Sequence, residues 1–153
     1  MIRIQARSRR ALCAALLSGT FGPAFAAAGI PTDKAELTQE VTLRCIYDMG
    51  EFGDDAVQAC MRADLAAAEA LTKYPPQAQA IVDRCFQAMW MRGYGTVQMC
   101  VEEDVKATSA LAAYGTEHAA TIQACQDKVG KQGPAKVKRC VETALGPAPT
   151  APK

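Results

Sequence analysis

Six cysteines stand in three pairs that share one internal spacing. Cys45 and Cys60, Cys85 and Cys100, and Cys125 and Cys140 are each 15 positions apart, and successive pairs are offset by 40. Each pair encloses a glycine and a valine at fixed offsets: Gly53 and Val57, Gly93 and Val97, Gly133 and Val137. Self-similarity at such a period marks a repeat architecture, in which each unit is a supersecondary element that cannot bury its apolar side alone.

Within a unit the apolar residues recur at helical spacing. Pro31-Thr32-Asp33 reads as a helix start, and Glu36, Leu37, Glu40, Val41, Leu43 and Cys45 follow it toward a stop at Gly50. After the turn, Val57, Cys60, Met61, Leu65, Ala68 and Leu71 form one stripe at steps of three and four, with Asp54 or Asp55 as the expected cap. Tyr74-Pro75-Pro76 ends the unit, because a residue before proline is pushed out of the helical region. The second unit repeats the plan, with Thr96 as the expected cap of its second helix. The third is shorter, with Pro134 early in its last helix and Gly146-Pro147 as its stop. The fold expected is all-α: three tandem disulfide-stapled helical hairpins in one small domain. The units span 30–74, 75–114 and 115–146 within a repeat domain of 27–146, followed by a disordered Pro- and Ala-rich tail over 147–153. Periodicity leaves open whether the hairpins stack as an array or close into a bundle.

The hairpin geometry selects the cysteine pairing. In two antiparallel helices joined at 50–53, Cys45 lies about 6 Å from the turn and Cys60 about 9 Å, at 1.5 Å per residue. A mismatch of about 3 Å is within the reach of a disulfide if both side chains face the seam. Six cysteines allow 15 pairings. Only the local one makes three like units, so Cys45–Cys60, Cys85–Cys100 and Cys125–Cys140 are predicted. The repeated glycine is expected to supply a positive φ or a close backbone approach in each turn.

The N-terminus reads as an export signal. Arg3, Arg7, Arg9 and Arg10 precede an apolar run from Ala11 to about Phe21, and Ala24-Phe25-Ala26 is a cleavage motif of small residues. Residues 1–26 are therefore expected to be a signal peptide, cut after Ala26 or, second, after Ala28. Cleavage discards Cys13 and leaves an even six cysteines, the setting for a disulfide framework in an oxidising compartment. A periplasmic or secreted location follows, with no stable membrane insertion once the signal is removed.

Charge is polarised along the chain. Residues 30–74 sum to −5, 75–114 to −1 and 115–153 to +3. Solvated helix faces account for most of this, and an electrostatically steered partner or head-to-tail association is the functional reading. No like-charge run is long enough to indicate nucleic acid.

Enzyme signatures are missing from the sequence. His118 is the single histidine and has no counterpart in the other units. There is no C-x-x-C, no paired cysteine knuckle, no glycine-rich phosphate loop, no G-x-S-x-G and no H-E-x-x-H. Asp64 and Asp104 share one repeat position, held by Ala144 in the third unit, which suggests a salt bridge or cap to the next hairpin. Met49, Met61, Met89, Met91 and Met99 could offer thioethers to Cu(I), although Met89 and Met99 read more simply as core.

The second turn is distinctive. Trp90, Met91 and Tyr94 flank Gly93 where the other units carry smaller or polar residues, making these three the candidate binding residues. The chain is expected to be an exported, non-catalytic helical repeat protein without a cofactor. Its expected role is a protein-binding or scaffolding module of a bacterial envelope, and the alternative is a small-molecule or copper carrier in the periplasm.

Overall fold

A computed structural model describes residues 29–147. The expected signal peptide with its cleavage site and Cys13, and the tail from 148 onward, lie outside the described residues. Six α-helices follow in order: α1 Lys34–Met49, α2 Asp54–Leu71, α3 Gln79–Met89, α4 Tyr94–Ala112, α5 Ala119–Val129 and α6 Pro134–Leu145. No strand occurs among the described residues. The pairs α1–α2, α3–α4 and α5–α6 are the three hairpins, each closed by a three-residue 3₁₀ turn.

The hairpins stack as an array. Helix α4 packs on α2 and on α6, so the second helices of the units form a central row. Helices α1, α3 and α5 each lie against their own partner on the flank. Val41, Cys45, Ala68, Cys85, Val97 and Val101 are fully buried in a core shared by the first two units. A smaller cluster of Tyr114, Cys125, Val137 and Val141 serves the third. Burying each valine stabilises by roughly 1.5–3 kcal/mol relative to leaving it exposed.

All three disulfides join the predicted partners. Cα–Cα distances are 5.8 Å for Cys45–Cys60, 5.8 Å for Cys85–Cys100 and 5.7 Å for Cys125–Cys140. Each bridge ties the two helices of one hairpin, and none crosses between units. Something else must hold neighbouring units in register.

Local signals were met at some helix ends and overridden at others. Asp33 caps α1, its carboxylate accepting the Glu36 N–H at 2.8 Å. Asp54, Asp55 and Thr96 do not cap their helices. Gly53 and Gly93 occupy the cap positions of α2 and α4, and Gly133 that of α6, with φ of 91°, 94° and 104°. Thr96 lies inside α4 and donates its hydroxyl to the Arg92 carbonyl. A glycine cap has no side chain to offer, so the exposed helix N–H groups need an acceptor from elsewhere.

Two apolar positions lie off the buried stripe. Leu43 and Met99 are 62% and 71% exposed. Each stands two residues, about 200° of helical rotation, from a buried valine (Val41 and Val97), so each points away from the seam. The reading of Met99 as core is corrected accordingly.

Candidate functional site

The missing acceptor comes from the preceding unit. Asp64 of α2 accepts the Gly95 N–H at the start of α4, at 3.0 Å. Forty residues on, Asp104 of α4 accepts the Ala135 N–H at the start of α6, at 2.9 Å. Each carboxylate thus sits at the positive end of the next unit's second helix, where a negative charge is favoured. Each is also paired with an arginine of its own hairpin, Arg44 with Asp64 and Arg84 with Asp104. Arg84 additionally reaches both sulfurs of Cys85–Cys100 and the Gln132 carbonyl of the following turn. The Arg44 guanidinium lies over the Tyr94 ring, 5.4 Å from its centroid.

The glycines make room for this clamp. A Cβ on Gly93 would stand 3.0 Å from Asp64 Oδ1, and one on Gly133 would stand 2.6 Å from Asp104 Oδ2. A Cβ on Gly53 would meet nothing within 4 Å, since among the described residues no carboxylate from another unit reaches this turn. At the other end, Ala124 and Ala144 occupy the arginine and aspartate positions of the third unit. The clamp therefore exists only where two units meet. The sequence had suggested the aspartates for this role; the arginines beside the first cysteines were the signal left unread.

The three candidate binding residues separate. Trp90 and Met91 are 44% and 74% exposed, whereas Tyr94 is 1% exposed. The Tyr94 ring packs toward Phe86, with centroids 6.1 Å apart, and its hydroxyl donates to Glu40 Oε1 at 3.1 Å. Burial, reinforced by the neighbouring Glu40 carboxylate, raises the Tyr94 pKa well above the ordinary tyrosine value. Tyr94 is thus a junction residue, and the surface at this turn consists of Trp90 and Met91.

A larger apolar surface lies on the first unit. Leu43, Ile46, Tyr47 and Phe52 are 62%, 52%, 89% and 67% exposed. Leu43, Ile46 and Tyr47 share one face of α1 at steps of three and four, and Phe52 follows in the turn. Exposed acids stand among them at Asp48, Glu51, Asp54 and Asp55. The repeat offset makes the contrast plain. The second unit carries Asp83, Phe86, Gln87 and Arg92 at these positions, and the third carries Gln123, Gln126, Asp127 and Gln132. Comparing the units at equal offsets would have found this surface from sequence, since only the first keeps all four apolar.

A groove of about 590 Å³ opens between the second and third units, lined by Leu111, Ile122, Gln126, Gly130, Pro134 and Val137 among others. The same positions at the first junction hold Leu71, Val82, Phe86, Trp90, Tyr94 and Val97. Gln126, Gly130 and Pro134 stand at this groove where the first junction has the rings of Phe86, Trp90 and Tyr94.

Metal-ligand chemistry is weakly provided for. Cys85, Cys100 and Asp104 place donor atoms within 4.8 Å of one another. Both sulfurs are consumed in a disulfide and the carboxylate is paired with Arg84, so the group lacks thiolate ligands. His118 packs edge-on to the Tyr114 ring, at 6.1 Å between centroids. No helix among the described residues is long and apolar enough to cross a membrane. Structural disulfides of this number fit an extracellular or otherwise oxidising compartment. No protein family, curated protein or solved structure matches the chain.

Proposed function

We propose that this is an exported, non-catalytic protein-binding or scaffolding module of the bacterial envelope, acting after removal of an N-terminal signal. The observation that carries the reading is the exposed set Leu43, Ile46, Tyr47 and Phe52 on a hairpin made rigid by Cys45–Cys60. Contiguous apolar side chains on a small stapled domain are characteristic of a surface that meets a protein partner. The interspersed acids favour a partner that brings lysine or arginine to its rim. Trp90 and Met91 are a second, smaller contact point on the next turn.

Affinity capture with the oxidised protein tests this. Wild type should retain a discrete partner that a Leu43→Ser/Tyr47→Ser variant loses and a Trp90→Ala/Met91→Ala variant binds more weakly. Equal retention by all three removes the reading.

The groove between the second and third units favours one further reading, a carrier of small apolar molecules. Gln126→Phe would fill that groove in the manner of Phe86. Uptake of an aromatic probe by wild type, with loss in Gln126→Phe, supports a carrier; no uptake by either removes it. Copper binding is the other carrier form, through exposed Met91 and Met99, and would show as Cu(I) retention lost on replacing those two with leucine.

A further inference from the structure

The junction between successive units has a front and a rear, and among the described residues the front of the first unit and the rear of the third are uncovered. The front of a unit is the start of its second helix with the flank residue that packs beside it. In the second unit these are Gly93, Tyr94, Gly95 and Phe86, covered by the first unit, with Phe86 only 7% exposed. Their counterparts in the first unit are Gly53, Asp54, Asp55 and Ile46, all uncovered. The rear is the site of the Arg–Asp clamp. In the third unit it is a groove of about 460 Å³ whose lining includes Val129 and Ala144, with Lys128, Lys136 and Arg139 around them.

The charges at these two ends are reversed relative to the internal junctions. Inside the chain, the rear supplies the acid and the front supplies bare helix N–H groups. At the ends, the front carries its own acids, Asp54 and Asp55, and the rear carries Ala144 at the clamp-aspartate position with Lys128 and Lys136 in the same groove, beside an Arg139 that pairs with Glu103. An acidic rear could not accept this front, because like charges facing each other repel. A basic rear can.

We propose that the occupant of the first unit's open face is a second copy of this chain, docked head to tail with the rear of its third unit on the front of the first. This rests on the reading of the first unit as a protein-binding surface and names its partner. Ile46 and Phe52 supply apolar contact, while Asp54 and Asp55 face Lys128 and Lys136. The contact is heterologous, so a stack of any length keeps one free front at one end and one free rear at the other, and it extends.

Sedimentation velocity on the purified, oxidised protein tests the proposal. In low salt the sedimentation coefficient should rise with concentration; at about 0.5 M salt, where the screening length falls to a few ångströms, it should return toward the monomer value. Asp54→Lys/Asp55→Lys should abolish association, and so should Lys128→Glu/Lys136→Glu. Mixing the two variants should restore it, because each then presents a front that complements the other's rear. All four positions lie on the surface; lysines in the first turn of α2 oppose its helix dipole, so a cooperative thermal transition in both variants, with a modestly lower midpoint for Asp54→Lys/Asp55→Lys, checks that the fold survives. A wild type that stays monomeric at every concentration in low salt overturns the proposal, as does association that survives in either variant alone. A monomer that still captures a partner through Leu43 and Tyr47 overturns self-association and leaves the binding role standing; a monomer that captures nothing removes both.

Discussion

Replacing Asp64 by alanine isolates the device that joins one hairpin to the next. The residue makes no disulfide contact and is nearly buried, and its carboxylate serves Arg44 and the Gly95 N–H together. Losing the hydrogen bond from an exposed helix N–H to a charged acceptor costs about 1.5–3 kcal/mol. Leaving a buried guanidinium without its partner costs about 3–5 kcal/mol. The two losses overlap, and Arg44 keeps Glu40 at 3.9 Å and the Tyr94 ring, so the lower part of that range applies. A net loss of about 3 kcal/mol is expected, a sizeable share of the 5–15 kcal/mol typical of whole domains. Asp64→Asn keeps an oxygen for the Gly95 N–H and loses only the charge, so about 2 kcal/mol is expected. Ala144→Asp restores the acid where none of the described helices of its own chain starts, and should change the monomer's stability by no more than about 0.5 kcal/mol. Urea unfolding of the oxidised proteins, with the slope unchanged, measures all three. A loss under about 1 kcal/mol for Asp64→Ala, or an Ala144→Asp effect of the same size as the Asp64 effect, would refute the clamp.

Three further outcomes follow from the same geometry. Gly53→Ala should cost about 1–3 kcal/mol, because φ of 91° with ψ of 173° is a conformation essentially confined to glycine, while Gly133→Ala should cost clearly more because its Cβ also meets Asp104 and Arg84; equal losses in thermal unfolding would contradict the close approach. Tyr94 holds its proton more tightly folded than unfolded, so its contribution is complete below about pH 10, the unfolded value, and is lost as pH rises beyond it. Tyr94→Phe should flatten that alkaline decline, and a 295 nm difference titration showing Tyr94 ionised near pH 10 in the intact fold would be the contrary result. Replacing Cys85 and Cys100 together by alanine should cost about 3 kcal/mol, the value for a loop of this length, and a change below 1 kcal/mol in urea would show the seam to be held by packing alone.

The hairpins and their pairings were legible because they rest on local rules. Helical spacing, a glycine in each turn and a fixed cysteine interval all act within about 20 residues, and each is visible in one unit. The inter-unit contacts were less so. Thr96 and Asp54 look like caps in isolation, yet the glycine before each helix takes the cap position, and for α4 and α6 the acceptor arrives from the unit before. Tyr94 resembled an exposed aromatic because its own hairpin offers it Phe86 alone; Glu40 and Arg44 of the preceding unit complete its cover once the units stack. The unit-one surface was obscured for the opposite reason. Leu43 and Ile46 look like core in a helical pattern, yet Ile46, at the repeat position of buried Phe86, is uncovered among the described residues, while Leu43 faces away from the seam.

Site-specific photo-crosslinking tests the central functional claim most directly. A photoreactive amino acid is placed in turn at Tyr47 and at Gln87, which occupy the same repeat position on the first and second units. Both side chains are exposed, so accessibility alone does not separate them. The account predicts a discrete adduct from position 47, with this chain's third unit or another protein, and little or none from position 87. Equal adducts from both positions, or none from position 47, would contradict it.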